Sequence, residues 1–218
     1  MLKLIQKYAS ELLMGALIAQ ILASPLADSN PHIGGILAIL QSICLLVGAT
    51  YIENRKLVRF AVLPLTAIWI IFRTLEAVEN SHPIYSHLAP VAGLALSCSV
   101  LWVLLDRFKS ALRISANLIS EAFISYVFIA TAFSQLYLIL NRVLDHPFNV
   151  IVPAAKTTRM LYFSMATLSC VGDSTMFPVN PYVRLIAGFE SMTGIFYIAV
   201  VVARLVSSYR PAAQQTGA

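Results

Sequence analysis

Apolar runs about as long as a bilayer is thick, separated by short charged turns, limit this chain more than any other feature. A bilayer core needs about 20 mostly apolar residues per helix, and Ile84 to Leu105 holds no Lys, Arg, Asp or Glu. Leu12 to Ala27, Ile33 to Ile52, Phe60 to Phe72 and Ala122 to Asn141 are likewise free of charge, and Val183 to Ser207 completes a set of six predicted spans. Phe60 to Phe72 is the shortest, cut off by Arg73 and Glu76, with Pro64 expected to kink it. Only 11% of the 218 residues are charged and 59% are hydrophobic, against about 25% charged in a soluble domain, and the mean hydropathy is +0.79. Lipid leaves no water to satisfy backbone groups, so the expected fold class is all-α, a polytopic membrane protein.

The loops orient it. An N-terminus in the cytoplasm puts Lys3, Lys7, Arg55, Lys56, Arg59, Arg107, Lys109, Arg113, Arg204 and Arg210 inside, with both termini there. It leaves Arg73, Arg142, Lys156, Arg159 and Arg184 outside, so the basic residues lie predominantly within, as in most membrane proteins. The same spread of Lys and Arg between apolar segments explains the net charge of +5 without a nucleic-acid partner. Cys44, Cys98 and Cys170 fall inside apolar or pore segments without paired spacing, which supports neither a disulfide framework nor a zinc site. Lys3 and Lys7 before the first apolar run and S-P-L-A-D after it also fit a signal peptide, an alternative to a short first helix.

Thr158 to Pro178 lies between two spans and is too polar and irregular to cross a membrane itself. It reads as a short amphipathic helix to about Leu168, then strand-like Ser169 to Gly172, then Asp173. Backbone that leaves a helix at membrane depth must be buried in protein or bathed by water, so the pattern predicts a re-entrant pore helix and filter between the last two spans.

The run T-L-S-C-V-G-D-S-T-M-F-P from Thr167 resembles, without a gap, the potassium-channel signature T-x-T-T-V-G-Y-G-D-x-x-P. Thr167, Val171, Gly172 and Pro178 coincide, as do Tyr162, Phe163 and Ser164 of the pore helix, with Arg184 and Gly194 at the spacing of the inner helix and its hinge glycine. The similarity covers roughly residues 118–208. It departs where Asp173 and Ser174 replace the filter's Tyr and second Gly, and where Cys170 replaces its first Thr, a pattern similar to the nonselective bacterial sodium-potassium channel with its T-V-G-D-G filter. The resemblance implies a homotetrameric channel in a cell membrane, the inner membrane of a bacterium, conducting potassium or sodium with weak selectivity and without a cofactor. It divides the chain into a four-helix peripheral domain (1–113), a pore domain (114–210) and a disordered tail (211–218). It assigns the filter to Thr167, Ser169, Cys170, Val171, Gly172, Asp173 and Ser174, with monovalent cations at Cys170, Val171 and Gly172. Tyr162, Ser164 and Glu190 support the filter, and Gly194 is the gating hinge.

Several residues have simpler readings. Asp173 is either one member of a ring of acids or a solvated loop aspartate. Glu190, costly inside a span, either braces the pore helix through Thr167 or Ser164, pairs with Arg159, acts on the ion directly, or reaches the interface. Ser174, where the signature has glycine, is expected to carry the strain of a left-handed conformation, about 1 to 2 kcal/mol for a residue with a Cβ. Arg73 and Glu76 sit one helical turn apart, where they pair locally or take part in gating. His82 and His87 read as solvent-facing rather than as a pH sensor, and His32 and His146 as outer-loop residues. Ala187, Ser191, Ala199 and Ala203, at a four-residue stride with Ile195 filling the gap, suit close helix approach or are scatter. A channel-like subunit that does not conduct is the alternative function. No Ser and His pair or paired Asp within the spans suggests an intramembrane enzyme.

Overall fold

A computed structural model describes residues 2–29, 62, 64–72, 75, 83–110, 116–150 and 157–207. Five helices follow one another in it: α1 (Leu2–Ser29), α2 (Pro83–Ser110), α3 (Ala116–Val143), α4 (Thr157–Leu168) and α5 (Pro181–Ser207). A further stretch, 64–72, is helical. The described residues form no strand, only an isolated antiparallel bridge between Phe148 and Pro178. The second predicted span (33–52), the Arg73 and Glu76 pair, His32, His82, Cys44 and the predicted tail (211–218) lie outside the described residues.

Among the described residues, three helices are long and apolar enough to cross a membrane, over His87–Asp106, Ile119–Val143 and Pro181–Arg204. They correspond to the fourth, fifth and sixth predicted spans. The first differs from expectation: α1 starts ten residues before the predicted Leu12, yet its apolar part, Leu13–Leu26, is shorter than a crossing requires. Lys3, Lys7 and Glu11 end the apolar run there without ending the helix.

Helix α3 is the hub, packed against the other four. Ala92, Leu96, Val100 and Leu104 recur every four residues along one face of α2, the spacing that stacks side chains on one helical stripe. They share a core with Ile124 and Phe128 of α3, Leu13 and Leu17 of α1, Val62 and Trp69. Gly93 lets this layer close, since a Cβ there would lie 2.9 Å from Trp69 Nε1 and 3.0 Å from Gln135 Cδ. A second core joins Tyr137 and Leu138 of α3 to Met160 and Phe163 of α4, Val183 of α5, and Phe148 and Met176 of the loops.

The last helix is different. Leu185, Phe189, Phe196 and Val206 of α5 are all more than 60% exposed. Of the predicted small-residue stride, Ala187 and Ser191 lie toward the other helices while Ala199 and Ala203 are exposed. One chain leaves most of this apolar helix uncovered.

Candidate pore site

Helix α4 has 12 residues, about 18 Å of helix, too short to cross a core of about 30 Å. It is held at its middle and at both ends. In the middle, Phe163 packs edge-on against Tyr137 (5.1 Å between centroids) and Phe148 (5.4 Å), arrangements that align ring edges with ring faces. Next to it, Ser164 is fully buried, with its Oγ 2.7 Å from the Ala130 carbonyl and hydrogen-bonded to Glu190 Oε1. The Tyr137 hydroxyl donates to Glu190 Oε2 at 2.7 Å. The acid of α5 is thus completely buried and joins α3, α4 and α5 at one point. A carboxyl at this depth is costly unless hydrogen-bonded, and both of its oxygens are. Of the partners that its place in the sequence suggests, Ser164 is the one Glu190 engages; Arg159 acts instead on Asp173.

At its C-terminal end α4 meets α5 still more closely. Ser191 Oγ donates to the Thr167 carbonyl at 3.0 Å, and a Cβ at Gly194 would lie 1.9 Å from the Leu168 carbonyl oxygen. Only a residue without a side chain permits that approach. Gly194, expected as a hinge, here forms the notch into which the end of the pore helix fits.

Beyond Leu168 the chain turns back on its own helix. The amides of Cys170, Val171 and Gly172 donate to the carbonyls of Thr167, Ala166 and Ala166 at 3.0, 2.9 and 3.0 Å. The described residues contain no cis peptide bond, and in a trans peptide the C=O points opposite to the N–H. Tying these three amides to α4 therefore turns the carbonyls of Ser169, Cys170 and Val171 away from it. The backbone reverses hand to do so, with φ of 59° at Cys170 and 75° at Gly172. Gly172 takes this conformation freely; Cys170 has a Cβ and is strained by it. Its Sγ lies 3.8 Å from the Ser191 carbonyl, against α5.

Ser174 is not in the left-handed region, so the strain expected there falls on Cys170. The reason lies in the next turn. Asp173 Oδ1 accepts from the Thr175 amide (2.8 Å) and the Thr175 hydroxyl (2.7 Å), and this side-chain turn replaces the alternation that a second glycine would carry. Partial burial raises the Asp173 pKa, but the Thr175 bonds, the Met176 amide and the Arg159 charge outweigh it and hold the carboxyl below the usual aspartate range. Farther out, Asn149 clamps the exit: Phe177 N–H donates to its Oδ1 (2.8 Å), its own N–H to the Phe177 carbonyl (3.0 Å), and its Nδ2 to the Thr175 carbonyl (3.3 Å). Asn180 then caps α5 by accepting from the Tyr182 amide at 2.9 Å, with Pro181 at the first helical position, which needs no amide donor.

The expected site residues therefore fall into three groups. Ser164, Thr167, Glu190 and Gly194 come together around α4, Ser169 to Gly172 form the tied turn, and Asp173 and Ser174 lie in the outer turn. Tyr162 is brought to none of them: it is 59% exposed on the surface of α4. Asn149 and Tyr137 are not legible from the sequence, because an asparagine in a loop and a tyrosine in an apolar helix carry no signal until the fold opposes them to their partners. The described residues contain no group of His, Cys, Asp or Glu able to hold a metal ion.

The family described as "Ion channel", a two-helix pore module of potassium-channel type, matches residues 121–210, which is 90 of the 218 residues. No curated protein and no solved structure matches the chain. The matched segment begins in α3 and includes α4, the tied turn and α5. Over that segment, less than half of the chain, the protein is similar to ion channels, a family that is not one of enzymes, and its apolar helices are those of a membrane protein.

Proposed function

We propose that four copies of this chain form a channel for monovalent cations, potassium and sodium, with the pore lined by the turn from Ser169 to Gly172. The observation that carries this reading is the set of three amides tied to α4, which presents the carbonyls of Ser169, Cys170 and Val171 on one side, as dipoles able to replace a cation's hydration shell. One chain supplies one such turn and surrounds nothing, and the exposed apolar face of α5 is the surface on which neighbouring copies and lipid would close. Cross-linking in detergent should show a tetramer.

The outer half of the turn favours weak selectivity. Asp173 bends onto Thr175, so no aromatic holds this half narrow, and four such carboxylates around an axis would repel one another and keep it wet. The channel would sit in the inner membrane of a bacterium, with six spans and both termini cytoplasmic. It would not be steeply voltage-gated, since 84–105, the core of α2, holds no basic or acidic residue to move in the field.

The test is the reversal potential of purified protein in a planar bilayer under opposed sodium and potassium gradients, for the native chain and for Asp173→Tyr with Ser174→Gly. Permeation by both ions in the native protein, with sodium excluded by the double change, is expected. Strong sodium exclusion in the native protein, or no response to the double change, refutes the filter assignment. Absence of current under every condition supports the second reading, a non-conducting channel-like subunit, which the replacements at Cys170, Asp173 and Ser174 favour.

A further inference from the structure

A proline lies in α1 beside the residue through which that helix meets α4. Pro25 lies inside α1, and its ring removes the amide that would bond the Ile21 carbonyl. Ser24 Oγ donates to that carbonyl in its place at 2.7 Å. The Ser24 carbonyl in turn accepts from Thr158 Oγ1, in the first turn of α4, at 3.1 Å across a sequence separation of 134 residues. Upstream, Leu13 and Leu17 anchor α1 in the core it shares with α2 and α3, so the end that carries Ser24 rests on a fixed base. Every other hold on α4 described above comes from α3, from α5 or from the loop beside them.

We infer that α1 is a positioning element of the ion pathway: its C-terminal end seats the start of the pore helix through Ser24 and Thr158, and so connects the N-terminal helices to the filter. The 12-residue α4 is rigid on this scale, and its far end holds the amides of Cys170 to Gly172. A shift at Thr158 is therefore passed to the carbonyls of the filter turn. Thr158 acts through the backbone it orients, not on the ion.

The experiment uses the full chain in lipid nanodiscs and planar bilayers, comparing native protein with Thr158→Val, Thr158→Ser, Pro25→Ala and the Thr158→Val, Pro25→Ala pair. A single net hydrogen bond corresponds to about a fivefold change in an equilibrium. Amide exchange in the second turn of α4 should accelerate by about that factor in Thr158→Val and return to native in Thr158→Ser, which keeps the hydroxyl. Pro25→Ala, which gives the Ile21 carbonyl an amide donor in place of Ser24 Oγ and so resets the backbone around Ser24, should act like Thr158→Val, and the pair should do no more than either alone. The permeability ratio or open probability should move in parallel with exchange. Unchanged exchange, or additive effects in the pair, overturns the inference. Altered exchange with unaltered currents overturns the connection to the filter. The current arm rests on the conduction proposed above, and a native protein without current refutes that proposal while exchange still decides whether α1 seats the pore helix.

Discussion

The two halves of the loop after α4 are positioned by different means. From Ser169 to Gly172 the backbone is held by backbone, its amides returning to the last carbonyls of the pore helix. From Asp173 to Phe177 it is held by side chains, with Asp173 turning the chain through Thr175 and Asn149 gripping both Thr175 and Phe177. The inner half is therefore as fixed as the packing of α4 and largely insensitive to which side chains it bears, so a cysteine can occupy a left-handed position there. The outer half depends on individual polar residues, and its shape can change with one substitution.

If that contrast is right, the strongest way to disturb the inner half is to move α4. Gly194→Val should do so most, since even the first carbon of the new side chain would lie 1.9 Å from the Leu168 oxygen, a backbone atom with no rotamer to escape into. Overpacking commonly costs about 1 to 3 kcal/mol, and a clash with a helix end belongs at or above the upper limit. Thermal unfolding in detergent should show a large loss of stability or no folded protein. A fully stable Gly194→Val with native currents would mean that α5 and α4 are not seated as described.

The three-helix joint comes next. Glu190→Ala removes the acceptor of Tyr137 and one of the two partners of Ser164, which keeps the Ala130 carbonyl, and leaves the Tyr137 hydroxyl buried beside a cavity, with about 1 to 3 kcal/mol at stake for the unsatisfied group. Glu190→Gln keeps the shape and an oxygen for Tyr137, and should lose less than half as much. Both should speed amide exchange at Val171 and Gly172 more than at Thr175. Equal acceleration in the two halves would break the contrast between them.

Much of this architecture is legible in the residues alone. The apolar runs predict the three crossing helices of the described residues to within about three residues at each end, because a long apolar stretch has few other solutions in lipid. The change of character after Leu168 locates the pore loop, and the cost of a buried acid singles out Glu190. What the sequence conceals are distances. Gly194 reads as a hinge, and a glycine in a helix gives no sign that a carbonyl also faces it. Ser174 reads as the strained residue because its position is judged from a glycine it replaces, whereas the Asp173 side chain builds a different turn. Tyr162 reads as support and lies on the surface. The first helix begins well before its apolar run, since Lys3 and Lys7 do not interrupt an α-helix even where they end a membrane span.

A smaller effect is expected from Asn149→Ala. It removes one side-chain acceptor and one donor from an exposed clamp while leaving the Asn149 amide bonded to Phe177, so the loss should be about 1 kcal/mol. Exchange should quicken at Phe177 and leave Val171 unaffected. Permeation should change if the outer half is the wide mouth proposed above, and that result would sharpen the division of labour between backbone and side chains.

The smallest effect is that of acid on Asp173. Its carboxyl is held below the usual aspartate range, partial burial being outweighed by the bonds from Thr175 and Met176 and by Arg159. A group whose pKa is lower folded than unfolded contributes stability that is complete above the unfolded value and is lost as pH falls through the folded one. The Asp173 turn should therefore hold at neutral pH and loosen only below about pH 4, the ordinary aspartate value. Amide exchange at Thr175, corrected for its intrinsic pH dependence, should show this, and Asp173→Asn should abolish it. Val171 and Gly172 should show no matching step, since their amides are bonded to carbonyls that do not titrate in this range. In a tetramer the four carboxylates would push one another's pKa up. Loosening above the ordinary value would then mean that repulsion across the axis exceeds the hold of Thr175, and that the outer half is shaped by neighbouring chains as well as by its own side chains. An acid step of equal size at Val171 would show instead that the two halves move together, and the distinction between them would fall.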